Sequence, residues 1–169
     1  MLLLILGLAL GSHARAEDFR FAGGDGWVGL RVPDSWEHDN LDRTWYSGFT
    51  PDRTVWVSAS SFDWLTDARL KTWLPKHLES FGVEVQLDGA TFHSLRGRMG
   101  EWVVTDYFVT GETAEGRCEV TICVFELDER ARFVVTTGGP PAQREKYRAA
   151  LREILESVRR TTAPTLPTR

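Results

Sequence analysis

Short runs of alternating apolar and polar residues, separated by turn residues, make up most of this chain. Phe19 and Phe21 lie in the first run, and Val28, Leu30 and Val32 form the second, beyond a glycine-rich turn. Alternation with a period of two buries one face of a β-strand. Because such runs joined by short turns form hairpins, we expect an antiparallel sheet built largely from neighbouring segments.

The remaining pattern adds more strands and two helices. Further strand-like runs cover residues 43–49, 54–62, 83–87, 90–96, 101–110, 117–127 and 132–137. A first helix is predicted from apolar residues at three- and four-residue spacing, namely Leu70, Trp73, Leu74, Leu78 and Phe81. Pro75 should kink it or mark a second start. A second helix follows Pro140-Pro141, with an apolar stripe from Tyr147 to Val158. The order predicts an α+β fold, an antiparallel β-sheet with helices packed on both faces as an α/β/α sandwich.

The first sixteen residues have the pattern of a cleavable export signal. Leu2 to Leu10 are apolar apart from Gly7, and Ala14-Arg15-Ala16 forms an Ala-x-Ala cleavage site. The apolar run is about half of the roughly 20 residues that a transmembrane helix needs. We therefore expect cleavage after Ala16, a periplasmic or secreted product without stable membrane insertion, one domain over residues 17–160 and a flexible tail over 161–169.

Charge argues against a nucleic-acid partner. The formal net charge is −4, and the Lys and Arg residues are scattered rather than clustered. A nucleic-acid-binding domain normally carries a concentrated basic patch. The same scatter gives no electrostatic reason for binding an anionic membrane surface.

Cys118 and Cys123 are predicted to be two buried thiols, with a disulfide as the alternative. The segment between them is rich in Val, Thr and Ile, which favours a strand. A separation of five residues in a strand places the side chains on opposite faces, with Cα atoms roughly 16 Å apart. A disulfide needs less than about 7 Å, so pairing would require a bulge or a turn.

No residue pattern predicts a catalytic, cofactor or metal site. His38 lies among the acids of residues 37–42, but this spacing fits neither a calcium loop nor a zinc site. His77 and His93 have no nucleophile in a recognised motif. The glycine-rich turns at 23–26 and 138–139 lack the Lys-Ser/Thr of a phosphate loop. We therefore expect a non-catalytic protein, with a small hydrolase using His38 or His93 and nearby acids as the alternative.

Seven tryptophans are the unusual feature of the composition. Trp73 and Trp102 fit buried positions, whereas Trp36, Trp45 and Trp56 follow a turn or lie on neighbouring predicted strands. If those strands pair, the three indoles are expected to line a groove that binds another protein or an apolar ligand. Packing beneath a helix is the alternative.

Two segments resemble the PsbP/Mog fold family, which includes PsbP proteins, Ran-binding Mog proteins and bacterial DcrB-like exported proteins. They are the strand and turn Trp27-Val28-Gly29-Leu30-Arg31-Val32-Pro33-Asp34-Ser35-Trp36 and the closing helix with its Leu-x-x-Ile-Leu-x-Ser-Val pattern, residues 151–158. The resemblance implies the fold over nearly all of residues 17–160. It also implies a binding or accessory protein, one version being a toxin-neutralising, immunity-like partner.

Overall fold

The computed structural model describes residues 16–41, 44–85 and 92–163, and strands dominate this part of the chain. The strands are β1 (Ala16–Gly23), β2 (Gly26–Pro33), β3 (Glu37–Leu41), β4 (Trp45–Phe49), β5 (Trp56–Phe62), β6 (Phe92–Met99), β7 (Trp102–Thr113), β8 (Gly116–Glu126), β9 (Arg132–Gly139) and β10 (Arg159–Thr161). The helices are α1 (Asp67–Glu79), α2 (Pro141–Lys146) and α3 (Arg148–Glu156).

The predicted opening hairpin is confirmed, but it belongs to a separate small sheet. Phe19 pairs with Leu30 and Phe21 with Val28, and all four side chains are buried. Gly24 adopts a φ of 58°, a left-handed conformation that suits the tight turn and that glycine adopts without steric cost. β10 pairs with the other edge of β2, so the order is β1-β2-β10.

The other seven strands form one antiparallel sheet in the order β3-β4-β5-β9-β8-β7-β6. Both faces of its centre are apolar, as the residues of β8 show. Val120, Ile122 and Val124 belong to one buried cluster, whereas Cys123 and Phe125 belong to another. Since successive side chains in a strand point to opposite faces, each face must be covered by a further layer.

Different elements cover the two faces. Leu70, Leu74 and Leu78 of α1 share the first buried cluster with the apolar residues of β8. The small sheet shares the second cluster with Leu151 and Ile154 of α3. The antiparallel α+β prediction is confirmed. The expectation of helices packed on both faces stays a prediction. On one of the two faces the small sheet forms part of the covering layer, and the sequence did not indicate such a second sheet.

α1 agrees with the first predicted helix, and it continues through Pro75. Proline removes one backbone donor, which leaves the carbonyl of Lys71 without its helical partner. Both residues are exposed, so solvent can satisfy that carbonyl. The proline therefore does not divide the helix into two elements.

The second predicted helix is divided at Tyr147, where φ is −99° and ψ is 10°. The phenol of Tyr147 donates to Asp52 Oδ2 at 2.8 Å, and Lys146 Nζ lies 2.7 Å from the same oxygen. The Lys146 contact, followed by hydrogen bonds from the Thr54 and Thr50 hydroxyls, holds the pKa of the Asp52 carboxyl well below its usual range. The break between α2 and α3 thus lies where Lys146 and Tyr147 contact Asp52, in the loop between β4 and β5.

Two segments differ from their predicted conformations. Residues 37–41, for which the alternating pattern predicts no strand, form β3, an edge strand of the large sheet. Of the strand predicted over 83–87, the structure shows a single bridge from Glu84 to Glu112, and residues 86–91 lie outside the described part of the chain.

The predicted pair of buried thiols is confirmed. Cys118 and Cys123 both lie in β8, and both are buried and free. They belong to different core clusters on opposite faces of the sheet. Strand geometry therefore keeps their sulfurs apart, as the five-residue spacing predicts.

The predicted export signal covers residues 1–16. Residues 1–15 lie outside the described part of the chain, and Ala16 is the first residue of β1. Of the predicted tail, Thr161 ends β10 and residues 164–169 are also outside the described range. Within the described ranges, no helix combines the length and apolar composition required to cross a membrane.

Candidate functional site

The structure brings two of the three candidate tryptophans to one face of the large sheet. β4 and β5 pair with Trp45 opposite Ser60 and Phe49 opposite Trp56, so both indoles lie on the face covered by α1. Trp45 Nε1 donates to Ser58 Oγ at 3.0 Å. Trp36 instead belongs to the opposite core cluster, is only 4% exposed and contacts Tyr147 edge-on. The three indoles therefore do not line one groove.

A continuous series of aromatic contacts runs along the flank of α1. Trp73, His77 and Phe81 are spaced four residues apart, which places them on one side of the helix and its C-terminal turn. Trp73 stacks on His77 with 4.2 Å between ring centroids, and His77 contacts Phe81 edge-on at 5.0 Å. Phe81 stacks in turn on Trp56 at 4.2 Å. The sequence contained this spacing, but the helical analysis assigned Trp73 and Phe81 to the buried stripe.

Between this helix flank and β4–β5 lies a groove of about 600 Å³, here named the α1 groove. Its lining includes Trp45, Ser60, Phe62, Trp73, Lys76 and Phe81. Phe62 contacts Trp73 edge-on at 5.2 Å, so aromatic rings form both its sheet side and its helix side. Trp56 does not line the groove, but its indole stacks on the ring of Phe81, which does.

His77 is a structural residue of this groove. Its Nε2 lies 2.8 Å from Thr136 Oγ1, and Thr136 is only 1% exposed. Burial lowers the pKa of His77 to about 4. The imidazole is therefore neutral at pH 7, and the buried threonine hydroxyl cannot reach a substrate in solvent.

Acidification is expected to destabilise the fold through His77. Its pKa is 6.5 unperturbed and about 4 when folded, so between these values the unfolded chain binds a proton that the folded chain does not. The free energy of unfolding should fall as pH falls through this window, by about 2 kcal/mol between pH 7 and pH 4.5 for this residue. Urea unfolding of the wild type and His77→Gln at both pH values measures this contribution, because glutamine keeps a hydrogen-bonding group but does not titrate.

The matched control is His93→Gln, which changes an exposed histidine on β6 and should retain the wild-type pH dependence. A His77→Gln variant that loses as much stability as the wild type on acidification would contradict the assignment.

His38 and His93 form no hydrogen bond with a serine, threonine or cysteine among the described residues. His38 Nδ1 lies 3.0 Å from Tyr46 Oη, and its Nε2 lies 3.6 Å from Glu17 Oε2. His93 stacks on Phe108 at 4.9 Å. Across residues 16–41, 44–85 and 92–163, no group of three His, Cys, Asp or Glu side chains could hold a metal ion. The hydrolase alternative stays a prediction.

The protein has the α+β, PsbP/Mog-like fold. It consists of two antiparallel sheets, with α1 on one face of the larger sheet and the α2–α3 pair near the C-terminus. Cyanobacterial PsbP (CyanoP) from Synechocystis sp. PCC 6803 is similar in structure, with a TM-score of 0.62 and 8% identity. The match covers 92% of this chain and 99% of that chain.

Two further structures have this fold. LpqN of Mycobacterium tuberculosis, described as involved in cell envelope biogenesis, matches with a TM-score of 0.52 and 14% identity over 87% of this chain and 92% of LpqN. Mog1 matches with a TM-score of 0.51 and 9% identity over 88% of this chain and 97% of Mog1. The expected fold is thus confirmed, and at these identities the likeness is one of fold.

This chain spans 47% of a Bacteroides thetaiotaomicron protein, which it matches with a TM-score of 0.52 and 11% identity. No protein-family sequence model matches the chain, and no curated protein matches it in sequence.

Proposed function

We propose that this chain is an exported, non-catalytic binding protein that holds a segment of a partner protein in the α1 groove. The observation that carries the proposal is the groove itself, with aromatic rings on both sides. Binding pockets are typically 300–1,000 Å³ in volume and mainly apolar, with a few polar groups that orient the ligand. The α1 groove has this volume, and Ser60, Lys76 and Ser80 supply the polar groups.

The apolar surface extends beyond the groove, which favours a protein over a small apolar ligand. Trp64 is 47% exposed and contacts Phe62 edge-on at 5.7 Å, so it continues the aromatic series towards solvent. Tryptophan is enriched among the residues that contribute most to protein–protein binding energy. A small ligand inside the groove would leave Trp64 exposed, whereas a peptide segment can cover both.

The test is a selection of peptides from a displayed random library on the purified chain, followed by affinity measurement for the selected sequences. We expect peptides with a bulky apolar anchor, and Trp73→Ala should weaken their binding at least about tenfold, as loss of an anchoring contact does. Ser80→Arg, at the exposed rim, should block the groove without removing a buried side chain.

Leu95→Ala is the matched control, because Leu95 is 63% exposed on β6, away from the groove. Its affinity should stay within about twofold of wild type, in line with a change outside the binding site. The α1 groove would be excluded as a peptide-binding site by either of two results. One is selected peptides that bind wild type, Trp73→Ala and Ser80→Arg equally, and the other is a selection that enriches no sequence. Binding of small apolar molecules alone would favour the apolar-ligand version.

Export, with cleavage after Ala16, is part of this proposal and is compatible with the pairing of β1. β1 begins at Ala16, so cleavage after Ala16 would remove only the first residue of the β1–β2 ladder and leave the pairing of Glu17 with Val32. The mature chain should begin near Glu17, and N-terminal sequencing of the exported product tests this. A toxin as the partner would make the protein immunity-like, which is one version of the same function.

A further inference from the structure

A second cleft lies on the opposite face of the large sheet from the α1 groove. It has a volume of about 570 Å³ and separates the α2–α3 pair from β7, β8 and β9. Thr121 and Thr137, which are paired across β8 and β9, contribute to its floor. Arg144 of α2 and Asp106 of β7 both line it and carry opposite charges.

The guanidinium of Arg144 reaches the floor of this cleft but has only neutral partners there. Nη1 donates to the carbonyls of Glu119 at 3.0 Å and Thr137 at 2.7 Å, and Nη2 donates to Thr121 Oγ1 at 2.8 Å. A guanidinium has five N–H donors. The Nε hydrogen and one Nη2 hydrogen therefore lack an acceptor within the described part of the chain, and no carboxylate there lies within ion-pair distance of Arg144.

Asp106 is the complementary group in the same cleft. Its Oδ1 is buried and has no hydrogen-bond partner among the described residues. The carboxyl group forms no ion pair within that part of the chain, and its one side-chain contact there is a hydrogen bond with the Cys123 thiol. A buried carboxylate oxygen without a donor is costly, and because nearly all such atoms in native proteins have a partner, this one calls for a donor from outside the chain, such as a water molecule or a ligand.

The two groups are too far apart to satisfy each other. Asp106 is the register partner of Cys123, which lies two residues along β8 from Thr121, the residue that Arg144 contacts. Two strand residues span about 7 Å. Two charge-assisted hydrogen bonds of about 2.8 Å each and a ligand with charges roughly 3 Å apart add up to slightly more than that span, so such a ligand bridges the two groups along a bent path.

The rest of the lining is suited to an apolar substituent. Leu151 and Leu155 of α3 face Met99 and Phe108 of the sheet across the cleft. The outer charges are partly compensated, since Arg148 pairs with Glu145 at the surface. The cleft thus combines the free donors of Arg144, the Asp106 carboxylate and apolar walls, and Glu119, Arg152 and Glu156 add further charges to its lining.

We propose that this cleft binds a small zwitterion, an α-amino acid with an apolar side chain. Its carboxylate accepts hydrogen bonds from the Nε and Nη2 edge of Arg144, and its ammonium pairs with the Asp106 carboxylate. The side chain lies between the α3 leucines and Met99. Arg144 and Asp106, which form no ion pair within the described part of the chain, then each have a charged partner.

Calorimetric titration of the purified chain with L-leucine tests the site, together with two analogues that each lack one charge. 4-Methylpentanoate lacks the ammonium group, and 3-methylbutylamine lacks the carboxylate. We expect leucine to bind and each analogue to bind at least about tenfold more weakly, since an ionised partner is lost each time. The dipeptide Leu-Leu, with its charges further apart, should also bind more weakly than leucine.

Asp106→Asn provides a charge-specific variant that preserves shape. It should weaken leucine at least about tenfold but leave 4-methylpentanoate unchanged, a difference that general loss of structure cannot produce. Lys71→Ala, at an exposed position of α1 on the other face of the sheet, should leave leucine binding unchanged. Absence of leucine binding, equal binding of leucine and its analogues, tighter binding of Leu-Leu, or leucine affinity unaffected by Asp106→Asn would each overturn the proposal.

Discussion

Phe133→Ala is expected to cost about 3–5 kcal/mol of unfolding free energy, the range for truncating a fully buried phenylalanine. Phe133 has no exposed surface and is the second residue of β9. Its ring is 5.1 Å from that of Phe21 in the small sheet and 6.2 Å from that of Phe125 in β8. Removing it leaves a cavity where the two sheets meet, so both should lose stability together.

Chemical unfolding followed by tryptophan fluorescence and by far-UV circular dichroism measures this effect. Phe133→Leu, with a smaller loss of volume, should cost less and remains measurable if the alanine variant does not fold. Leu95→Ala should cost almost nothing, because Leu95 is exposed. A Phe133→Ala variant within about 1 kcal/mol of wild type would mean that the junction between the sheets is not a major source of stability.

Gly138→Val is expected to destabilise the fold by about 3 kcal/mol and also to disturb the α1 groove. A Cβ atom at Gly138 would overlap the indole of Trp56, whose register partner is Gly138 itself. The indole must then move, which breaks its stacking on Phe81. Since Phe81 lines the groove, peptide affinity should fall at least about tenfold where the variant is still folded, as for loss of an anchoring contact.

Gly97→Val is the matched control, because a Cβ atom at Gly97 meets no atom within 4 Å and this glycine lies on the exposed strand β6. Unfolding midpoints and peptide affinities of the two variants should be compared at the same pH. Equal stabilities would show that Trp56 does not require the glycine. A destabilised Gly138→Val variant with wild-type peptide affinity would show that peptide binding in the groove does not depend on the Trp56–Phe81 stack.

Much of the fold was predictable because its signals are local. The alternation of Phe19, Phe21, Val28 and Leu30 predicts a hairpin, and the structure confirms it. The leucines of α1 were found from their helical spacing. β3 was not predicted, since its polar side chains give no periodic signal and its strand conformation comes from backbone pairing with β4.

The candidate site was predictable only in part. The tryptophan content indicated a binding surface, but Trp36 lies in the opposite core and Trp56 stands behind the groove. Trp73, assigned to the core from sequence, packs partly buried against the core beneath α1 and also lines the groove. Whether an aromatic residue fills a core or forms a pocket depends on which elements pack beside it, and residue type does not carry that information.

The sequence by itself determined the strands and helices with clear periodicity, the separation of Cys118 from Cys123 and the antiparallel α+β class. Only the tertiary structure decided that the first hairpin forms its own sheet, and that Arg144 and Asp106 share a cleft. The physical reason is the range of the interactions. Periodicity fixes which side of its own strand a residue occupies, whereas strand order and layer packing depend on contacts between residues distant in the chain.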